Sequence, residues 1–257
     1  MNAPILEARH LMKAFGGLRA TNDVSFTVDQ GSVTALIGPN GAGKTTVFNL
    51  ITNLFPTDSG QVLFAGNRID GKSPAGIAAQ GLIRTFQTAR VFPGMTVLEN
   101  VLVGRHRTVR HGLLQQALWL PASRREEHDL AARADALLDL VALSRYRDAH
   151  AAELPMGAQK LLEVLRALMA QPRVLLLDEP AAGLNDTETA ELAALLLAIR
   201  ASGITVLVVE HNMSLVMGVA DRIVVLEAGA VIATGTPVEI QRNERVIRAY
   251  LGDEVAA

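Results

Sequence analysis

The stretch Gly38, Pro39, Asn40, Gly41, Ala42, Gly43, Lys44, Thr45, Thr46 constrains this chain more than any other. It fits G-x-x-x-x-G-K-[ST]. Val33–Ile37 before it reads as a strand, and Val47–Ile51 after it reads as the first turns of a helix, the setting a phosphate-binding loop requires. Gly38, Gly41 and Gly43 let the backbone curl without Cβ clashes, so that successive N–H groups turn toward phosphate oxygens. A helix starting near Lys44 adds its unpaired N–H groups and the positive end of its dipole. In such a loop Lys44 reaches the β- and γ-phosphates and the Thr45 hydroxyl ligates Mg²⁺. A glycine-rich turn with no ligand is the bland alternative, and the flanking strand and helix argue against it.

The rest of the chain supplies the matching frame. Ile5–Lys13, Val24–Asp29 and Ser32–Ile37 read as strands, with a turn at Asp29, Gln30 and Gly31. Gln61–Ala65 alternates like a strand, Pro74–Gln80 reads as a short helix and Leu82–Gln87 as another strand. Between Phe92 and Leu154 the strands give way to helical spacing at Thr96–Val103, Gly112–Leu120 and Ser123–Val141. Helix and strand then alternate through Gly157–Ala170, Arg173–Leu177, Asp186–Ala201, Ile204–Val209 and Arg222–Leu226. Thr236 and Glu239 form a capping box with Pro237 at the first helical position. Short apolar strands alternating with helices predict an α/β fold with a parallel sheet covered on both faces. The helical stretch predicts an inserted subdomain.

Bulk properties exclude several function classes. The 257 residues suit one large domain or two closely joined ones. Hydrophobic residues at 49% supply a core, and with aromatics at only 4% it must rest on Leu, Val, Ile and Ala. A net charge of −2 sets up no field that would gather nucleic acid or acidic lipid. The absence of cysteine removes disulfides, thiolate metal sites and cysteine nucleophiles. The N-terminus lacks the apolar core of a signal peptide, and no uncharged apolar run approaches the ~18 residues of a spanning helix. The expectation is a soluble, cytoplasmic chain whose membrane role, if any, comes through a partner.

Three further segments add chemistry to the loop. Val174–Asp178, followed by Glu179 and Pro180, is an apolar strand ending in two carboxylates. Asp178 stands where a strand tip reaches Mg²⁺ held by Thr45, and Glu179 where a carboxylate polarises the attacking water. Ile204–Val209 ends in Glu210 and His211. A histidine there senses a γ-phosphate, or is simply structural or solvated. Gln87 ends a strand at the edge of the helical stretch, within reach of metal or water.

In this order the segments resemble the nucleotide-binding subunit of an ABC transporter: Walker A at Gly38–Thr46, Q-loop at Gln87, Walker B at Val174–Glu179, D-loop at Ala182–Asn185 and switch histidine at His211. Within the family, the likeness is to the larger ATPase subunit of importers for branched-chain (hydrophobic) amino acids. It is carried by Phe15–Leu18, Ile83–Gln87, Met95–Asn100, Glu179–Asn185, Glu210–Met213, Val246–Gly252 and the long insertion from Arg105 to about Arg125. The resemblance implies one ABC ATPase domain. Its RecA-like parallel-sheet core would take about residues 1–90 and 161–235, with an N-terminal antiparallel β subdomain, a helical subdomain at about 91–160 and a C-terminal helical extension at 236–257.

The resemblance also implies ATP and Mg²⁺ as ligands. Catalytic roles fall to Glu179, His211, Gln87 and Lys44, and metal contacts to Thr45, Gln87 and Asp178. Nucleotide contacts fall to Phe15, the residues of the loop and Gly157. Phe15 stands where the family stacks an aromatic on adenine; a core phenylalanine is its alternative. Phe92, Pro93, Met95 and Val97 lie where the family docks a permease's coupling helix, with generic packing as the alternative. The basic run from Arg105 to His111 is a solvated face, or else a phospholipid or partner contact.

One departure stands out. Where the family carries Leu-Ser-Gly-Gly-Gln, this chain has Leu154, Pro155, Met156, Gly157, Ala158 and Gln159. Proline at the serine position offers neither hydroxyl nor N–H to a γ-phosphate held by an opposite cassette. The expectation is therefore a heterodimer whose partner carries the better signature, with a homodimer as alternative. Permease subunits would complete the assembly, a solute-binding protein would act indirectly, and no nucleic acid is involved. The place would be the cytoplasmic face of the inner membrane. Rival readings are an ABC ATPase for lipid, lipopolysaccharide or urea transport, a soluble non-transport ABC ATPase and a phosphate-loop kinase.

Overall fold

The computed structural model describes residues 3–85, 91–105 and 121–251, and side chains within these except at 121–126 and 251. Gln87, most of the basic run at 105–111 and the helix expected at Gly112–Leu120 lie outside the described residues. The chain divides into two compact units, one of Met1–Arg84, Arg173–Gly183 and Leu196–Ala257, the other of Thr85–Pro172 and Leu184–Leu195.

The first unit is built on two sheets. Strands β1 (Pro4–Phe15), β2 (Leu18–Asp29), β4 (Ser59–Phe64) and β5 (Asn67–Arg68) form an antiparallel sheet in the order β2-β1-β4-β5. The second sheet runs β10-β9-β3-β8-β7-β6. Its members are β3 (Val33–Ile37), β6 (Leu82–Arg84), β7 (Val174–Asp178), β8 (Thr205–Val209), β9 (Arg222–Glu227) and β10 (Ala230–Gly235). All neighbours from β9 to β6 are parallel, and β10 adds an antiparallel edge. Every residue of β3, β7 and β8 is buried, as near-continuous apolar strands of a covered parallel sheet must be. This is the expected α/β fold with its N-terminal antiparallel subdomain.

Helix α1 (Lys44–Ile51) buries Val47, Phe48, Leu50 and Ile51. These join Leu6 and Phe26 of the antiparallel sheet and Leu36, Leu176 and Leu207 of the parallel one in a single apolar cluster. The unit also holds α2 (Pro74–Ala79), capped by Ser73 with proline at its first turn, and α7 (Met213–Val219), capped by the Asn212 side chain. The Thr236–Glu239 capping box forms as expected and opens α8 (Pro237–Gln241), with α9 (Glu244–Leu251) after it.

The second unit is helical. Helices α3 (Val97–Val103), α4 (Pro121–Leu140) and α5 (Met156–Met169) pack together, and α6 (Asp186–Ala201) contributes its first turns. The sequence places the helical part at about 91–160. The compact unit takes in all of α5 and the start of α6, because α5 buries an apolar face against α3 and α4.

Most strand ends lie within two residues of expectation, but β2 begins at Leu18 rather than Val24. Of the strand expected at Leu82–Gln87, Leu82–Arg84 is strand, and Phe86 and Gln87 lie outside the described residues. The β9–β10 hairpin was missed beyond Leu226: its turn, Ala228 (φ 46°) and Gly229 (φ 80°), lacks the Asn-Gly or Asp-Gly pair that signals such a turn.

The core makes a direct prediction. Leu207 is fully buried in β8 at the centre of the parallel sheet. Leu207→Ala should lower stability by about 3 kcal/mol through lost burial and the cavity left behind, read as a lower urea midpoint.

Candidate active site

Parallel register brings four strand ends to one edge. Leu36 of β3 and Asp178 of β7 both lie opposite Val209, the last residue of β8, and Arg84 of β6 lies opposite Leu176. The residues that follow each strand therefore emerge side by side, at the carboxyl edge where open α/β sheets bind ligands. They are the Gly38–Gly43 loop, Glu179, and Glu210 with His211. The loop, Phe15, Leu18 and Arg19, and Glu179 with His211 line an open cleft of about 370 Å³.

The loop can lie so close to its neighbours only because of its glycines. A Cβ on Gly38 (φ 152°) would sit 2.1 Å from the Leu226 carbonyl oxygen, and one on Gly43 (φ 98°) 2.4 Å from that of Ala20. The β9–β10 turn braces the loop: Gly229 N–H donates to the Ala42 carbonyl at 3.1 Å, and Asn22 N–H to the Gly229 carbonyl at 2.7 Å. From α9, Tyr250 also reaches the loop. Burial pushes its phenol pKa up, and a hydrogen bond from Gly38 N–H partly offsets this.

Lys44 is buried at the start of α1, its Nζ donating to the Gly38 carbonyl at 2.7 Å and the Pro39 carbonyl at 3.0 Å. Burial lowers its pKa from the ordinary lysine value, and the carboxylates of Glu179 and Asp178 pull it partly back. Its ammonium thus rests on neutral carbonyls that an anionic phosphate outcompetes through charge-assisted hydrogen bonds.

Glu179 has a left-handed backbone (φ 50°), uncommon for a residue with a side chain. Its N–H donates to Val209 O at 2.9 Å, and its carbonyl accepts from Ala182 N–H at 3.1 Å. The conformation costs on the order of 1 kcal/mol and turns the chain out of the strand directly after Asp178. Glu179 Oε1 lies 2.9 Å from His211 Nε2. A carboxylate only accepts, so this bond puts the ring proton on Nε2.

Asp178 is only 3% exposed. Its Oδ2 accepts from Arg84 Nη2 at 2.8 Å, while its Oδ1 is buried with no hydrogen-bond partner among the described residues. A buried carboxylate oxygen left unpaired is costly. A hard divalent cation would satisfy it, and Thr45, which lines the cleft, carries a hydroxyl of the same oxygen chemistry. The residues present therefore fit Mg²⁺.

Phe15 is 45% exposed, supported edge-on by Phe55 with ring centroids 5.6 Å apart. The core alternative for Phe15 is thereby removed. Asp58 anchors the strand end beneath it, accepting from Lys13 Nζ at 2.7 Å and Ala14 N–H at 2.8 Å.

Gly157 belongs to the helical unit. Pro155 caps α5 without a side-chain hydrogen bond, and Gln159 Nε2 donates back to the Leu154 carbonyl at 2.9 Å. A Cβ at Gly157 would fall 2.4 Å from Glu188 Oε1. Glu188 is itself held by a reciprocal cap, accepting from Asn185 N–H while its own N–H donates to Asn185 Oδ1, both at 3.0 Å. Asn185, read from sequence as part of a segment crossing to a partner, thus also caps α6. In the same unit Phe92 and Met95 are exposed, whereas Val97 is wholly buried, so Val97 is packing.

Two residues carry roles that the sequence does not announce. Glu210 is 2% exposed and gathers three backbone donors: Ala181 N–H at 2.6 Å, His211 N–H at 2.9 Å and Asn212 N–H at 3.2 Å. It ties the turn after β7 to the end of β8. The available signal was an acid directly ending an all-apolar strand. The other is Arg84, whose only sequence signal is a charge in a buried strand.

Residues 21–182 match the family described as ABC transporter, and residues 230–256 the family described as branched-chain amino acid ATP-binding cassette transporter. The chain is 44% identical over 254 residues to the high-affinity branched-chain amino acid transport ATP-binding protein LivG of Salmonella typhimurium, covering 98% of this chain and 100% of LivG. The corresponding protein BraF of Pseudomonas aeruginosa gives the same values. Among solved structures, the ADP conformation of an ATP-binding cassette of an ABC transporter superposes with a TM-score of 0.85 at 34% identity, covering 98% of this chain and 100% of that one.

The triple acceptor role of Glu210 predicts its own test. Glu210→Ala strands three N–H groups in a buried turn and should cost about 3 kcal/mol in chemical denaturation, with Glu210→Gln recovering part of it.

Proposed function

Because the chain belongs to the ABC transporter ATP-binding family, we propose that its cleft binds Mg·ATP through the residues described above and that hydrolysis there powers uptake of a branched-chain amino acid or a closely related solute. The chain is an ATPase subunit of a transporter, and such subunits dimerise and work with permeases. The observation that carries the catalytic reading is the Glu179–His211 contact beside the phosphate loop.

The chain's own residues divide the work. Loop N–H groups and the α1 N-terminus cradle the phosphates, and Lys44 exchanges its carbonyl partners for them. Glu179 orients the attacking water, and His211 holds that carboxylate while itself facing the cleft. Thr45 and Asp178 Oδ1 would hold the metal, joined by Gln87 as expected from the sequence. Mg²⁺ when bound neutralises charge developing on the phosphates. Phe15, exposed at the cleft and backed by Phe55, supplies a face for the adenine.

The partner is read from what α5 lacks. With Pro155 as its cap, the helix start offers no hydroxyl to a phosphate across a dimer, which favours a different cassette as partner. No helix among the described residues is long and apolar enough to cross a membrane, so attachment to the cytoplasmic face would run through the permease. Exposed Phe92 and Met95, tied down by Asn100, suit that contact. Asn100 Oδ1 accepts from Phe92 N–H at 2.8 Å, and its Nδ2 donates to the Thr96 carbonyl at 2.9 Å.

Glu179→Gln should retain ATP binding and lower steady-state hydrolysis by roughly 10²-fold or more, measured on the chain reconstituted with its partner cassette and permeases. Lys44→Ala should instead abolish nucleotide affinity. Uptake of labelled leucine into proteoliposomes holding the same assembly tests the cargo; ATP hydrolysis without leucine uptake, but with uptake of urea or movement of lipid, would reassign it.

A further inference from the structure

A buried ion pair joins the end of β6 to the end of β7. Arg84 closes β6, and its side chain is about 10% exposed. Its guanidinium spans two elements: Nη2 donates to Asp178 Oδ2 at 2.8 Å, and Nη1 to Asn49 Oδ1 at 2.7 Å on α1. A third, longer bond runs from Nη1 to Thr52 Oγ1 at 3.3 Å. The cation also lies over the Phe48 ring, 5.5 Å from its centroid. A planar fork held at one end by α1 and covered by an aromatic ring has little freedom left.

The consequence falls on Asp178. One carboxylate oxygen is committed to Arg84, and the other is buried without a hydrogen-bond partner among the described residues. A fork–fork pair would engage both oxygens; with Nη1 committed to Asn49, only Nη2 reaches the carboxylate, at Oδ2. We propose that Arg84 is a positioning residue for the metal: anchored on Asn49, it clamps Asp178 Oδ2 and thereby presents Oδ1 as the one oxygen of that carboxylate open to the metal. The inference rests on the reading of the cleft as a Mg·ATP site. Helix α1 begins at Lys44 and Thr45 and carries Asn49 one turn further on, so the helix bearing the phosphate-binding residues also sets the carboxylate. Metal ligands are commonly oriented by such outer partners, and losing one weakens metal binding about 10–100-fold.

Removing the charge of Arg84 would act in the opposite direction, by relieving repulsion of a divalent cation. Arg84→Lys separates the two effects, because it keeps the charge and discards the planar fork. Asn49→Ala leaves Arg84 in place but removes its main anchor on α1, and provides a second variant should the lysine fold poorly. Metal affinity is measured on the full chain as free Mn²⁺ by electron paramagnetic resonance, with a non-hydrolysable ATP analogue present. Nucleotide affinity without metal is measured separately with a fluorescent ATP analogue in EDTA. Arg84→Lys should weaken Mn²⁺ binding about tenfold and Asn49→Ala severalfold in the same direction, with metal-free nucleotide affinity unchanged. Wild-type or tighter Mn²⁺ binding in the variants would overturn the role of Arg84 and leave the nucleotide site standing. Failure of the wild-type chain to take up Mn²⁺ with the nucleotide analogue would overturn both.

Discussion

The parallel register of β3, β8 and β7 is the constraint on which the rest depends. Leu36 and Asp178 face the same residue, Val209, so three strands end level and their successors share one edge. No residue in the site is close in sequence to all the others. Lys44 lies more than a hundred residues before Asp178 and Glu179, and His211 lies 32 positions after Glu179; they meet because backbone hydrogen bonds align the strands that carry them. Slipping β7 by one residue against β8 would send Asp178 to the opposite face of the sheet and separate it from Arg84.

Around that edge the fold places charges so that each is held by something rigid. Lys44 rests on the carbonyls of its own loop, Glu179 on His211, and Glu210 on three amides. The left-handed backbone of Glu179 is maintained by hydrogen bonds on both sides of the peptide. This is preorganisation in the sense that matters for phosphoryl transfer, where the protein contributes position and charge rather than covalent chemistry. The loop is braced from outside as well, through Gly229 and Asn22, so the antiparallel sheet and the β9–β10 hairpin share its support.

Much of this was legible in the chain. The nine residues from Gly38 to Thr46 announce the loop because glycine spacing reports a backbone shape directly, and the two acids after Val174–Leu177 announce the second motif because an apolar strand ends there. Glu210 was not legible. Its importance lies in which amides surround it, and Ala181 is 29 positions away. Arg84 was opaque for the same reason, since its partners Asn49 and Asp178 are separated from it by 35 and 94 positions. The β9–β10 turn escaped because Ala228 adopts a positive φ that its side chain does not advertise. Asn185 was read only as part of a crossing loop, whereas its side chain also caps a helix.

By itself the sequence determined the local shapes: a phosphate-type loop, apolar strands destined for a covered parallel sheet, caps at Thr236 and Glu239, and a helix start at Pro155 without a hydroxyl. Each follows from residue type and near spacing, because steric limits on φ and local hydrogen bonds act over a few residues. Only the tertiary structure decided that one oxygen of Asp178 has no hydrogen-bond partner among the described residues, that Gly157 has no room for a side chain beside Glu188, and that Phe15 stands out from the core. Those outcomes depend on close packing between segments far apart in the chain, where a few tenths of an ångström separate a hydrogen bond from a clash.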